Sequence, residues 1–127
     1  MSARPRLADV PRTVLVVDDA AAMRQDVRGL VDAADGWEMV GEARDGQEAV
    51  EMAAALHPQV IVLDQGMPRL QGLEALPHLR SSCPDAHIVM WSTDDRLEAA
   101  ALENGADGFV NKSRPLRDLF SAMQGTA

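Results

Sequence analysis

The sequence has no tyrosine, one cysteine and one lysine. With Cys83 alone, no internal disulfide can form, and the fold has to be held by burial and hydrogen bonding. Its three histidines, His57, His78 and His87, show no zinc-ligand spacing with each other or with Cys83, and read as helix-end or surface residues. No apolar run approaches the roughly eighteen residues of a membrane span. The first turns of the chain lack a signal peptide's basic start and apolar stretch. A cytoplasmic protein with no membrane partner is expected. Positive charge is also scarce. Twelve Lys and Arg face 20 Asp and Glu, giving a net charge of -8. That balance repels nucleic acid phosphate, and the arginines are scattered along the chain, so no direct nucleic acid binding is expected.

What is present is an alternation of short apolar runs and helical patterns. Residues 1–12, "MSARPRLADVPR", carry two prolines and three arginines with no apolar period, and read as a flexible leader. One domain over 13–124 and a short tail, 125–127, follow. The chain's 127 residues suffice for one core. Strands are expected at 13–18 (TVLVVD), 37–43 (WEMVGEA), 60–64 (VIVLD), 87–92 (HIVMWS) and 108–111 (GFVN). Three of these are apolar at nearly every position, the mark of parallel strands covered on both faces. Between them, Met23, Val27, Leu30, Val31 and Ala34 recur at helical spacing, as do Leu73, Leu76 and Leu79, and then Leu116, Leu119, Phe120 and Met123. "GQEAVEMAAALH" is expected to form a second helix. "DRLEAAALENG" is expected to form a fourth, with Asp95 and Glu98 at capping-box spacing and Gly105 as its stop. That fourth helix has few large apolar anchors and should be the most loosely held. Pro77 falls inside the third, where it removes a backbone donor and is expected to kink the axis.

Alternating β and α elements imply right-handed crossovers and a doubly wound parallel sheet, with ligands at the carboxyl ends of the strands. The first strand ends in Asp18 and Asp19, the third in Asp64, the fourth in Ser92 and Thr93, and the fifth in Asn111 and Lys112. One acid at a strand end is ordinarily a turn or cap residue. Three carboxylates converging on one edge repel each other unless a cation lies between them. Oxygen-only ligation with room for water suits Mg²⁺. A lysine beside them offers a compact cation on a flexible stem, able to follow an added anion. The set suits phosphoryl transfer onto a carboxylate. Asp64, at the end of the central strand, is the best nucleophile candidate, and the adjacent Asp18 and Asp19 are better suited to sharing a metal.

Through "VLVVDDAAAMR", "EARDGQEAV", "IVLDQGMPRLQGLE", "VMWST" and "GADGFVNK", the sequence from about Thr13 to Met123 resembles a response-regulator receiver domain of two-component signalling. The combination of an acidic pair, D-x-x-M-P-x-x-x-G, a hydroxyl, and a lysine after G-A-x-G-aromatic, each in order at its strand end, is highly specific. The resemblance implies a flavodoxin-like α/β/α fold with five helices and five parallel strands in the order 2-1-3-4-5. It implies that Asp64 accepts phosphate from a sensor histidine kinase, a histidine phosphotransfer protein or a small donor such as acetyl phosphate. Asp19 would ligate Mg²⁺ directly, Asp18 mainly through water, and Asp64 and the Gly66 carbonyl would complete the metal's protein ligands, with Mn²⁺ able to substitute. Ser92 and Lys112 would contact the phosphoryl group. Ser92 and Phe109 would be the switch pair, with output through the face of the fourth helix, fifth strand and fifth helix to an output domain, a partner protein or a phosphorylation-dependent homodimer. Such a domain is a signalling switch and not an enzyme, although it accepts and hydrolyses its own phosphoryl group.

Three positions depart from the family's common pattern. Phe109 lacks the hydroxyl of the usual tyrosine, Ser92 replaces a frequent threonine, and Ser113 follows the lysine where members often have a cis proline. A cis bond before serine would cost about 2.5–4 kcal/mol. "WEMVGEARDGQEAVEMA" is most like receivers of transcriptional regulators with a C-terminal helix-turn-helix domain. No such domain follows "SAMQGTA", which leaves a single-domain receiver and an excised piece both open. Other readings weigh less. An aspartate-nucleophile phosphohydrolase would need a second acid at Gly66, and a flavodoxin-type nucleotide module would need a glycine-rich loop where "DDAAAM" stands. A degenerate receiver acting as a docking module would have no use for the full acidic set and Lys112.

Overall fold

The computed structural model describes residues 10–125. The expected leader therefore lies outside the described residues over 1–9, as do the last two residues of the expected tail. Five strands, β1 (Arg12–Val17), β2 (Trp37–Ala43), β3 (Val60–Leu63), β4 (His87–Ser92) and β5 (Gly108–Asn111), alternate with helices α1 (Ala21–Asp32), α2 (Gly46–Leu56), α3 (Gly72–Ser82), α4 (Glu98–Glu103) and α5 (Leu116–Gln124). All the strand pairings are parallel, in the order β2-β1-β3-β4-β5. Val40 is an extra residue in β2, because Val14 pairs with Met39 and Leu15 with Gly41.

The alternation of side chains along each strand sorts the core into two layers. Leu15, Val17, Ile61, Leu63, Ile88 and Met90 face α2, α3 and α4, packing with Ala49, Ala53, Leu76, Leu79 and Ala101. Val14, Val16, Val60, Val62, Val89 and Trp91 face the other way, toward Val27 and Val31 of α1 and Leu119 and Met123 of α5. All of β3 is sealed from solvent, which accounts for its unbroken apolar run. At about 1.5–3 kcal/mol for each large side chain buried, these two layers supply the main drive to fold.

Several boundaries differ from those the sequence suggests. Arg12, which composition places in the leader, opens β1. Its backbone N–H donates to Gly36 O at 2.8 Å and its guanidinium lies 4.6 Å over the Trp37 ring. The region 95–105 is not one helix with an Asp95–Glu98 capping box. A 3₁₀ turn, Asp95–Leu97, precedes α4, and the cap is Asp94, whose Oδ1 accepts from Arg96 N at 3.0 Å. The Asp95 carboxylate instead accepts from Asn111 Nδ2 at 2.9 Å. A tertiary partner has displaced the local one. Of α4 only Ala101 is buried, in keeping with a loosely held helix, and Gly105, at φ +110°, turns the chain toward β5. α3 continues through Pro77 without interruption. His57 caps α2 in a left-handed conformation and His78 is exposed, whereas His87 is half-buried and donates from Nε2 to Ala122 O at 2.7 Å.

Candidate functional site

The carboxyl ends of the strands gather the acidic residues at one edge of the sheet. Asp18 follows β1 directly, and its backbone N–H still donates to Ala43 O at 3.0 Å. Its Oδ1 accepts from Ala20 N at 2.9 Å, bending the chain into α1. Asp64 follows β3, held by its N–H to Val17 O at 2.9 Å. Carboxylate oxygens of Asp18, Asp19 and Asp64 lie within 4.8 Å of one another. Asp18 and Asp64 are buried and Asp19 is exposed. The cluster therefore opens to solvent on one side.

Lys112 enters this cluster from the end of β5. Its Nζ is 2.7 Å from Asp18 Oδ2 and 3.0 Å from Asp64 Oδ1, and it lies 5.3 Å over the Trp91 ring. Three carboxylates and one ammonium leave two negative charges on hard oxygen donors, with one member facing water. A divalent cation such as Mg²⁺ fits that donor set and charge. Burial pushes the Asp64 carboxyl above its ordinary range. Asp18's charge adds to that, and the hydrogen bond from Lys112 only partly opposes it. For Lys112, burial alone would lower the ammonium's pKa, but its bonds to Asp18 and Asp64 outweigh burial and raise it. The two carboxylates thus favour the charged form of the lysine.

The loop after Asp64 is pinned at both ends. Gln65 O accepts from Gly72 N at 3.0 Å and Gln65 Oε1 from Leu73 N at 2.7 Å. Met67 is buried in the core. Arg69, in a left-handed conformation at φ 68°, bonds Asp45 Oδ2 through Nη2 at 2.8 Å and Nε at 3.0 Å. Asp45 also caps α2 by accepting from Glu48 N, and that bond, more than the Arg69 contact, holds its carboxyl below the usual range. Gly66 lies exposed in this loop, two residues beyond Asp64.

Ser92 ends β4 beside Lys112, whose backbone N–H donates to Ser92 O at 2.9 Å. The buried Ser92 Oγ accepts from Asp94 N at 3.2 Å. Phe109 is half-buried in β5, packing on the α2–α3–α4 layer and lining a cavity of about 290 Å³ with Asp95, Glu98, Asn111 and Asp118. No peptide bond among the described residues is cis. A larger groove, about 640 Å³, lies between α1 and α5 and contains none of the strand-end acids.

Two contributors escape a reading of the sequence. Arg24 donates from Nη1 to Asp18 O at 2.8 Å and from Nε to Glu42 Oε1 at 3.3 Å, fixing the turn that carries the acidic pair. The available signal was an arginine in the first turns of α1, where the helix dipole disfavours a cation. Asn111, read only as a strand-end residue, has its side-chain amide fully engaged.

A five-stranded parallel sheet with an acidic cluster and one lysine at its carboxyl edge defines a doubly wound α/β class whose ligand sites lie at the strand ends. Comparison with known proteins specifies the class. The family model described as "Response regulator receiver domain" matches residues 14–124, and the chain belongs to this family. It is 37% identical over 119 residues to the nitrate/nitrite response regulator protein NarL of Escherichia coli, covering 92% of this chain and 55% of that protein. To protein-glutamate methylesterase/protein-glutamine glutaminase 5 of Myxococcus xanthus it is 44% identical over 109 residues, covering 84% of this chain and 31% of that one. The chain thus spans about half of one relative and a third of the other. Among solved structures, the response regulator domain of Thermotoga maritima CheB superposes with a TM-score of 0.80 at 36% identity, covering 91% of this chain and 95% of that one. These matches agree with the expected receiver fold and strand order. Among the described residues, no helix is long and apolar enough to cross a membrane.

Proposed function

We propose that the domain is a phosphorylation switch in which Asp64 accepts a phosphoryl group from a sensor histidine kinase, a histidine phosphotransfer protein or a small donor such as acetyl phosphate. Mg²⁺ would be held by Asp18, Asp19, Asp64 and the Gly66 carbonyl. The observation that carries this reading is the bridge made by Lys112 between Asp18 and Asp64, inside a cluster of three carboxylates.

In the transfer, a carboxylate oxygen of Asp64 attacks phosphorus. The P–N bond of phosphohistidine, or the P–O bond of an acyl phosphate, breaks, and the leaving group takes the electron pair. A bound Mg²⁺ supplies compensation for the negative charge on the phosphoryl oxygens. Asp64 gives up its contact with Lys112 as it becomes an acyl phosphate, and the ammonium, still anchored on Asp18, follows a phosphoryl oxygen. Ser92 Oγ accepts from Asp94 N, so its own hydroxyl hydrogen is available to donate to another. Movement of Ser92 toward phosphate draws the loop before α4 and lets Phe109 turn inward. Output is then carried by the face of α4, β5 and α5 to an output domain or partner protein.

Intact-mass spectrometry tests the site. Acetyl phosphate with Mg²⁺ adds one phosphoryl group to the wild type and none to Asp64→Asn, and chelation of the metal suppresses the reaction. Equal modification of the variant would overturn the assignment of Asp64.

A further inference from the structure

Asn111 ends β5 as the register partner of Ser92, the last residue of β4. Past this pair one more backbone bond joins the two strands, Lys112 N to Ser92 O, and the Asn111 side chain carries the pairing onto the β4–α4 loop. Its Nδ2 donates to Asp95 Oδ1 at 2.9 Å and reaches Thr93 O at 3.4 Å, while its Oδ1 accepts from Ser113 N at 2.8 Å. The partners fix the amide's orientation, since a carboxylate and a carbonyl only accept and a backbone N–H only donates. One side chain thus ties the loop after Lys112 to the first residue of the 3₁₀ turn that precedes α4.

We propose that Asn111 and Asp95 form a latch that holds the β4–α4 loop in its unphosphorylated arrangement, so that Asn111 is a positioning residue setting how readily the switch is thrown. The proposal rests on the reading that Ser92 moves toward a phosphoryl group on Asp64. Such movement displaces Thr93 and Asp95 relative to β5. Asn111 cannot follow, because its Oδ1 is held by Ser113. Burial restrains the turn little: none of its three residues is buried, and of α4 only Ala101 is. The cavity lined by Asp95, Glu98 and Phe109 leaves room for displacement. A contact made in only one of two states opposes conversion to the other, by the same factor with which conversion weakens the contact.

The test is hydrogen exchange of the unmodified, metal-free protein, comparing wild type with Asn111→Leu, Asp95→Ala and Asp95→Asn. Asn111→Leu and Asp95→Ala are expected to speed exchange of amides 93–103 by about three- to tenfold, with β1 and β3 unchanged. Asp95→Asn keeps an acceptor oxygen in place and stays within about twofold of wild type. The double variant Asn111→Leu/Asp95→Ala is no faster than the faster single variant, because both remove one contact. With acetyl phosphate and Mg²⁺, Asn111→Leu reaches half-occupancy at a lower donor concentration. Wild-type exchange in both single variants, or Asp95→Asn behaving as Asp95→Ala, would overturn the latch. If Asn111→Leu does not fold, the comparison of Asp95→Ala with Asp95→Asn decides alone. Failure of wild-type Asp64 to be phosphorylated overturns the functional reading instead, and leaves the exchange result to judge the latch.

Discussion

Lys112 Nζ lies 2.7 Å from Asp18 Oδ2, joining the end of edge strand β5 to the end of β1. Those strands are three positions apart in the sheet, about 14 Å at the usual strand spacing. The bond therefore depends on a long stem from one side and a turn leaning in from the other, the turn held by Arg24 on the Asp18 carbonyl. Asp18 is 1% exposed, so the pair is barely screened, and leaving either member alone would strand a buried charge. On the proposed reading, the pair is the resting arrangement of a site with room for further positive charge.

Asp64 is the member least suited to that resting state. Its carboxyl pKa is raised by burial, with Asp18's charge adding, despite the bond from Lys112. For an acid with a raised folded pKa, the unfolded chain loses its proton first as pH rises. Stability is therefore greatest below the unfolded value and falls as pH climbs through the folded one. In metal-free buffer at neutral pH, Asp64→Asn should melt at a higher temperature than wild type, and the gap should close as pH drops below about 4. Added Mg²⁺ should stabilise wild type more than the variant, by mass action on a site that has kept its charge. Thermal melts across pH, with and without Mg²⁺, check this; a variant less stable than wild type at neutral pH would contradict it.

The order of elements and the strand-end residues were legible because both follow from local pattern. The unbroken apolar run at 60–63 requires a sheet covered on both faces, and a parallel sheet sends its strand ends to one edge. Hence Asp18, Asp19, Asp64 and Lys112 could be placed together from sequence alone. The start of α4 was not legible. Asp95 and Glu98 have the spacing of a cap, but Asn111, sixteen residues later in sequence, takes the Asp95 carboxylate. Arg12 likewise joins β1 through contacts with Trp37 and with Gln124 O, at 3.2 Å, which no period along the chain encodes. Where a polar side chain could satisfy itself locally or across the fold, spacing does not decide.

Trp91 should report on the site and Trp37 should not. Trp91 is 2% exposed and lies under the Lys112 ammonium at 5.3 Å, so movement of that charge alters the field at the indole. Trp37 begins β2, at the opposite end of the sheet, packed on Phe120 at 5.1 Å. Addition of Mg²⁺ and then acetyl phosphate should change the fluorescence of wild type and of Trp37→Phe, and leave that of Trp91→Phe flat. Loss of the response in Trp37→Phe would mean that the far end of the sheet rearranges.

Two glycines make opposite predictions. A Cβ at Gly72 would overlap the Asp64 carbonyl oxygen and crowd Gln65 Cα at 3.0 Å. Neither is the end of a flexible side chain, so Gly72→Ala should cost about 1–3 kcal/mol and slow phosphorylation of Asp64 by shifting its backbone. Gly29, exposed within α1, has nothing within 4 Å of its would-be Cβ. Gly29→Ala should stabilise by about 0.5–1 kcal/mol through helix propensity and leave phosphorylation untouched. Denaturant titrations with parallel phosphorylation time courses measure both. A neutral Gly72→Ala would show that the loop after Asp64 yields more easily than its hydrogen bonds imply.

The only lysine in the chain separates charge from shape. If position 112 needed positive charge alone, Lys112→Arg would be nearly silent, since guanidinium stays protonated at any relevant pH. Here one compact ammonium touches Asp18 and Asp64 together and keeps a third N–H direction. In the proposed switch it would release Asp64 and meet a phosphoryl oxygen, beside the acids that would hold a metal. A planar guanidinium favours a two-pronged grip on one carboxylate and would hold it through that change. Lys112→Arg should therefore still be phosphorylated, more slowly, because Asp64 and the acids around it remain, but should lose most of the exchange response in residues 93–112. Phosphoryl occupancy and hydrogen exchange, read on the same samples of wild type and variant, separate the two roles. Equal occupancy with an equal exchange response would mean that any cation of this reach serves at the end of β5.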